Sequence, residues 1–209
     1  MNEILTKYFP SLTPLQLEQF SRMGELFREL NEKVNVVSRK DIDNIEINHI
    51  LHSLAIAKYI QFAPGSYIVD LGTGGGLPGL PLAVMFPDSR FHLIDRIGKK
   101  VNVAREIAEK LGLKNVSFQH GDMGECHDKF DFVVSRAVTD QPSLIKIIRK
   151  NISSENKNAV PNGLITLKGG DINNELGKFL PQSEVVDIDT YFDEPFFKTK
   201  KVVFTPLAL

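Results

Sequence analysis

The sequence predicts an α/β protein: a doubly wound, mostly parallel seven-stranded sheet behind a helical amino-terminal cap. Three observations carry this. Apolar residues recur at helical spacing up to about residue 60. Beyond Gly65, short β-rich runs alternate with helical ones, as a parallel sheet covered by helices requires. A glycine-rich segment follows the first of those runs and opens a helix.

The cap is read over residues 1–63. Thr13 can cap a helix with Pro14 at its first position. Leu15, Leu17, Phe20, Met23, Leu26, Phe27 and Leu30 then recur at roughly helical spacing. Residues 31–40 read as a loop. A second helical stretch over 43–60 takes its apolar face from Ile47, Ile50, Leu51, Leu54, Ile56 and Ala57. The organisation shifts at Ala63-Pro64-Gly65, and residues 64–209 form the second domain. Its strand candidates are 67–71, 91–95, 116–119, 130–135, 164–168, 185–189 and 202–205. Helices fill 78–85, 99–111, 141–150 and 172–179, and Gly112 supplies the left-handed residue that ends the second of these. Two strands follow the last helix with only a loop over 191–198 between them. That predicts a closing antiparallel hairpin on an otherwise parallel sheet.

Composition narrows the function. With 42% hydrophobic and 24% charged residues, the chain is not disordered. A formal net charge of −1 excludes a protein basic over its whole surface, so a nucleic-acid partner must be held by a local patch or by shape. The single cysteine, Cys126, provides neither a disulfide framework nor a Cys-rich zinc site. The amino terminus lacks the basic-then-apolar order of a signal peptide, and no apolar run approaches the ~20 residues of a bilayer span. The expectation is a soluble, cytoplasmic protein with no membrane partner.

The strongest signal is Val69-Asp70-Leu71-Gly72-Thr73-Gly74-Gly75-Gly76-Leu77-Pro78-Gly79. In doubly wound sheets ligands bind at the carboxyl ends of strands, and glycines there let a ligand approach the backbone. Two cofactors compete for it. Gly74-x-Gly76-x-x-Gly79 with Asp95 downstream fits a dinucleotide fingerprint. However, Asp70 precedes the first glycine, where it would repel a pyrophosphate and attract a cationic methionyl group. That favours S-adenosylmethionine, with Asp95 accepting the ribose hydroxyls. The turn Gln119-His120-Gly121-Asp122-Met123-Gly124 would cover the adenine.

Arg136 ends the fourth strand and faces the same crevice, with a rigid fork of donors suited to a carboxylate, a phosphate or the N7/O6 edge of guanine. No Asn/Asp-Pro-Pro-aromatic motif follows that strand, which argues against methylation of exocyclic amines. Methyl transfer to a ring nitrogen needs positioning rather than acid-base help. His49 and His52 sit one turn apart, but no further ligands stand at suitable spacing, so no metal is expected. The basic clusters at Arg39-Lys40, Lys99-Lys100, Lys146/Arg149/Lys150 and Lys198/Lys200/Lys201 read singly as solvated faces.

Taken in order, Asn31-x-x-x-Asn35-Val36-x-Ser38, His49-Ile50-Leu51-x-Ser53, the Gly-Leu-Pro-Gly-Leu-Pro extension of the glycine loop, Asp95-x-x-x-Lys99-Lys100, Ser135-Arg136-Ala137 and Leu167-Lys168-Gly169 form a pattern. It resembles the RsmG family, also called GidB, bacterial methyltransferases that modify N7 of a guanine in 16S ribosomal RNA. The resemblance runs from about Asn31 to the last strand. It implies a Rossmann-like class I methyltransferase fold. It also implies S-adenosylmethionine contacts at the Gly72 backbone, Leu77, the turn Asp95-Arg96-Ile97, the Met123-Gly124 backbone and Arg136. Asn35, His49, Lys99, Lys100 and Lys168 match polar positions lining the family's crevice, on the RNA side. The partner it implies is 16S rRNA in the small ribosomal subunit or an assembly intermediate. The chain departs from the family where His52 replaces Asp, Arg96 replaces Ser, and Lys99-Lys100 replaces Lys-Arg. Runner-up readings are a methyltransferase acting on another substrate, a nicotinamide-dependent oxidoreductase and a non-catalytic nucleotide-binding module.

Overall fold

A computed structural model describes residues 1–136 and 138–208; Ala137, from the Ser135-Arg136-Ala137 pattern, and Leu209 lie outside the described residues. The chain starts with a short helix that the periodicity did not separate, α1 (Asn2–Tyr8). Next comes α2 (Pro14–Asn31). Its start follows from local chemistry: the Thr13 hydroxyl accepts the Gln16 N–H, and the Gln16 side chain accepts the Thr13 N–H. Phe20, Met23, Leu26, Phe27 and Leu30 form its buried face. On the other side, Gln16 donates to Val84 O and Gln19 to Leu111 O, tying the helix to the helices of the sheet.

The stretch expected as one helix over 43–60 is three pieces. A 3-10 turn (Ile42–Asn44) leads into a π turn (Glu46–Leu51) and then α3 (His52–Tyr59). The physical reason is burial. Ile45 and Ile50 are both fully buried, and a widened turn brings residues five apart onto one side, which an α-helix does not. An Arg28–Glu46 ion pair at 2.6 Å fixes the start of the π turn against α2.

The sheet has strands β1 (Tyr67–Leu71), β2 (Arg90–Asp95), β3 (Val116–His120), β4 (Phe132–Arg136), β5 (Gly163–Gly169), β6 (Glu184–Asp187) and β7 (Lys200–Pro206). Their order is β3-β2-β1-β4-β5-β7-β6. Only β7 runs against the rest: it pairs antiparallel with both β5 and β6, so β6 returns to the common direction at the edge. Helices α4 (Gly79–Met85), α5 (Gly98–Lys110), α6 (Gln141–Ile148) and α7 (Asn173–Leu176) make the crossovers. Helix α5 ends as its sequence requires. Gly112, at φ 70°, lets its N–H reach Glu109 O while Leu113 N–H reaches Ala108 O.

Two helices are shorter than expected. Beyond Ile148, α6 tightens into a 3-10 turn (Arg149–Asn151), where the Asn151 amide donates to Cys126 O and Asp128 O. Beyond Leu176, α7 stops at Gly177, because Pro181 lacks the N–H that would continue the ladder and crowds the carbonyl four residues back. At the strand ends, Phe130 makes only an isolated bridge to Ile152, and Ile188 turns inward to be buried.

One apolar core runs from Leu5 and Phe20 through α3 and α4 to Phe91 and Phe132 on the sheet. Phe62 joins the parts, with its ring 5.0 Å from Phe86 and 5.3 Å from Phe132. Among the described residues, no helix is long and apolar enough to cross a membrane.

Candidate functional site

The strand order reverses between β1 and β4, and a cavity of about 750 Å³ opens at their carboxyl ends. Ligands collect at this point in open α/β sheets, and the volume suits a nucleotide-sized molecule. The floor is the loop from Gly72 to Gly79. Gly72 and Gly74 have φ of 70° and 57°, a conformation L side chains rarely adopt. A Cβ on Gly72 would also lie 2.5 Å from Val138 Cγ2.

Two aspartates hold this loop. Asp70, expected to face a cationic ligand group, turns beneath the loop instead and does not line the cavity. It is fully buried, and its Oδ2 accepts the Thr73 hydroxyl at 2.6 Å and the Gly79 N–H at 2.7 Å. The turn needs an acceptor below it for these two donors, which is why the carboxylate points inward. Burial pushes the Asp70 carboxyl up to about 7, against the pull of those two bonds. Asp95 works from the side. Its Oδ2 accepts Gly74 N–H and its Oδ1 accepts Ile97 N–H, both at 2.8 Å, so it joins the glycine loop to the turn after β2.

Of the other predicted residues, Gly72, Gly74, Leu77, Arg96, Ile97, Met123 and Arg136 line the cavity with Asp95, and so does Lys100. Arg96 pairs with Asp122 across the rim. Gly124 stands outside: its N–H donates to Asp122 Oδ1, and its carbonyl accepts from Lys150 Nζ. Lys99 is exposed one residue before the cavity wall, and Asn35 is exposed on the loop after α2. Lys168 lines a separate cavity of about 460 Å³ that shares Val138 and Thr139 with the first. Its Nζ is held by Glu175 at 2.8 Å and Thr139 O at 2.9 Å.

Arg136 is half-buried at the end of β4, which Ser135 pins to Leu71 O. Its guanidinium makes no hydrogen bond or ion pair with the described residues, and burial pulls it down to about 10, with Asp70 and Asp41 opposing. His49 faces the same charge from the π turn. Burial pulls it down to about 4, so it is uncharged at neutral pH, and neither ring nitrogen has a partner among the described residues. His52 is buried edge-on to Phe196 with its ring 5.5 Å away, and burial keeps it neutral as well. Among the described residues, no three His, Cys, Asp or Glu side chains gather as a metal site.

Val36, Thr139, Ser143 and Ile147 also line the cavity and were not anticipated. The Asp140 cap on Ser143 N–H, with Pro142 in the first turn, was the available signal that α6 begins at the crevice. Val36 stands in the Asn35-Val36-x-Ser38 pattern, but a loop residue reveals its contact only through tertiary packing.

Comparisons with known proteins agree with this geometry. A protein of Bacteroides fragilis named Ribosomal RNA small subunit methyltransferase G is 54% identical over 205 residues, which cover 98% of this chain and 100% of the relative. The Flavobacterium johnsoniae protein of the same name is 49% identical over 207 residues, 99% of this chain and 98% of the relative. Among solved structures, a precorrin-6y C5,15-methyltransferase from Geobacter metallireducens superposes with a TM-score of 0.55 at 12% identity, over 75% of this chain and 87% of that one. That likeness shows a shared fold. The family described as rRNA small subunit methyltransferase G matches residues 16–179, and the chain belongs to this family, GidB.

Proposed function

We propose that this chain transfers a methyl group from S-adenosylmethionine to N7 of a guanine in 16S ribosomal RNA, in the cytoplasm, on the small subunit or an assembly intermediate. The observation that carries it is the braced glycine loop facing, across one cavity, a guanidinium with no bonded partner among the described residues. S-adenosylmethionine, when bound, supplies a methyl group already activated on a sulfonium. The residues here fit it. Around Gly74 a Cβ would meet nothing within 4 Å, Ile97 and Met123 offer apolar cover for a purine, and Arg136 can meet a carboxylate or the base. The C–S bond breaks as the C–N7 bond forms, and the electron pair of the old bond stays on sulfur. No proton leaves N7, so the chain needs no general base and contributes by alignment.

In this reading residues 64–209 hold the donor, with Asp70 acting through the loop it supports. Residues 1–63 supply the opposite wall, with Asn35 and His49 on it. Lys99 and Lys100 meet RNA phosphates, while Lys168 stays bound to Glu175 and Thr139 O in the neighbouring cavity. Changing Lys99 and Lys100 together to Ala should weaken binding to the small subunit and lower the log-log salt slope by about 0.7–0.9 for each phosphate no longer neutralised. Donor affinity should fall less than subunit affinity, and an unaltered slope would mean that neither lysine meets a phosphate.

Asp95→Ala should weaken donor binding by about 1–3 kcal/mol, because the Gly74 and Ile97 N–H groups lose their acceptor and the loop loses its brace. Calorimetry with S-adenosylmethionine and with NAD checks this together with the cofactor. Micromolar NAD binding and no binding of the methyl donor would overturn the reading. The function itself is tested by offering labelled donor with small subunits, free rRNA and protein. The expected outcome is label in 16S rRNA only.

A further inference from the structure

The second cavity, of about 460 Å³, opens beside the donor cavity, and the two share Val138 and Thr139 as walls. Its volume falls within the range of ligand pockets. Val138 forms the divide. It presses on Gly72 from the loop after β4, yet it is 44% exposed, an apolar face common to both cavities. A flat ring lying on that face would reach from one cavity into the other.

The polar wall of the second cavity is an anchored ion pair. Lys168 Nζ donates to Thr139 O at 2.9 Å and meets Glu175 Oε2 at 2.8 Å. The Glu175 carboxylate therefore stands two contacts from a residue that lines the donor cavity. The Lys168 side chain is 7% exposed and that of Glu175 43%, so the pair is fixed below and open above. Helix α7 carries Glu175, and Ile172 and Leu176, both buried, pack it against Val203 of β7. Each carboxylate oxygen has two lone pairs. Glu175 Oε2 uses one of them on Lys168, and Oε1 has no partner among the described residues. Asp140, the other carboxylate on this cavity, is already engaged: Oδ1 accepts the Ser143 N–H, and Oδ2 accepts the Ser143 and Thr139 hydroxyls. Glu175 is the acceptor left there for a ligand.

Guanine carries its N7 and O6 acceptors on one side of the rings, and its N1–H and N2 amino donors follow along the edge away from N7. We propose that the target guanine lies across Val138, with N7 in the donor cavity and that far edge in the second one. There Glu175 accepts the N1–H and N2 amino hydrogens, and so makes the site select guanine. A carboxylate can accept two parallel N–H bonds. This inference rests on the reading of the site as a guanine-N7 methyltransferase and adds the place and the partner of the base. Adenine would set a bare ring nitrogen against the carboxylate, acceptor on acceptor, with no amino group beside it. Sites built to bond a group reject an analogue that lacks it strongly.

The test is single-turnover methylation of small subunits carrying guanosine or inosine at the methylated position, with the parent chain and with Glu175→Gln. Inosine keeps N7, O6 and N1–H and lacks only the amino group. The parent should act on inosine about tenfold more slowly, the factor of one missing hydrogen bond. In Glu175→Gln the amide oxygen stays on Lys168, a pure donor, so the amide NH2 faces the base, donor on donor. That variant should slow guanosine at least about tenfold and bring the two bases level. Its donor affinity by calorimetry should match the parent's, because Glu175 lines only the second cavity. Equal parent rates on the two bases overturn the proposal without any variant. So does a Glu175→Gln chain that keeps the parent's preference for guanosine, which would make Glu175 a partner for Lys168 only. A parent chain that leaves guanosine unmethylated at N7 takes down the functional reading and this inference together.

Discussion

Arg136→Ala should slow single-turnover methyl transfer about a hundredfold while moving the donor's dissociation constant only a few-fold. The guanidinium stands half-buried at the cavity wall with its hydrogen bonds unspent on the described residues. A cation drawn down to about 10 by burial is costly to keep there, so its value lies in what it meets. Its fork can fix O6 of the base or a neighbouring phosphate, and a misplacement of about 1 Å costs about two orders of magnitude in rate. If it instead holds the methionyl carboxylate, the loss will appear in donor affinity. Arg136→Lys should rescue in part, since a point charge cannot reproduce a planar fork. Rates and affinities both within twofold of the parent would make Arg136 a surface cation and remove the core of the site assignment.

Asp70→Ala should act on the fold and the site together. It strands the Thr73 hydroxyl and the Gly79 N–H, both in buried surroundings, at about 1–3 kcal/mol for each donor left unpaired. In a chain of this size each kcal/mol lowers the melting temperature by about 2–4 °C. Donor binding should fall with it, because the glycine loop loses its lower support. Asp70→Asn keeps an acceptor and separates charge from hydrogen bonding. The Asp70 carboxyl sits at about 7 in the folded chain against 3.8 as an ordinary value, so the folded state holds that proton more tightly. Its stabilising contribution is complete at low pH and is lost as pH rises from about 4 to about 7. The stability of Asp70→Asn relative to the parent should therefore improve across that window and level off above it. Denaturant melts at several pH values check this, and a flat difference would mean that Asp70 is ionised and solvated.

The parts of the molecule legible in the sequence are those decided locally. The capping box of Thr13 and Gln16, the Gly112 terminus of α5 and the positive-φ glycines after β1 each depend on a few neighbouring residues. The alternation of strands and helices gave the layers for the same reason. What was not legible depends on direction and on distant partners. A carboxylate at a strand end reads alike whether it faces a ligand or supports a loop, and only burial shows Asp70 doing the second. The π turn answers the burial of Ile45 and Ile50 in a core shared with the sheet, which periodicity within one segment does not encode. Lys168 has the right spacing for the crevice, yet Glu175 and Thr139 hold it in the neighbouring cavity.

The central claim is methyl transfer to a guanine N7 in 16S rRNA, and the most direct measurement locates the transferred methyl. Small ribosomal subunits lacking the modification are incubated with the protein and labelled S-adenosylmethionine. The 16S rRNA is then reduced with borohydride and treated with aniline, which breaks the chain at N7-methylguanosine. Label should enter the 16S rRNA together with one new cleavage at a guanine, absent when Arg136→Ala replaces the parent over the same short reaction. Label that enters 16S rRNA without creating a cleavage site, or that enters protein instead, would contradict it.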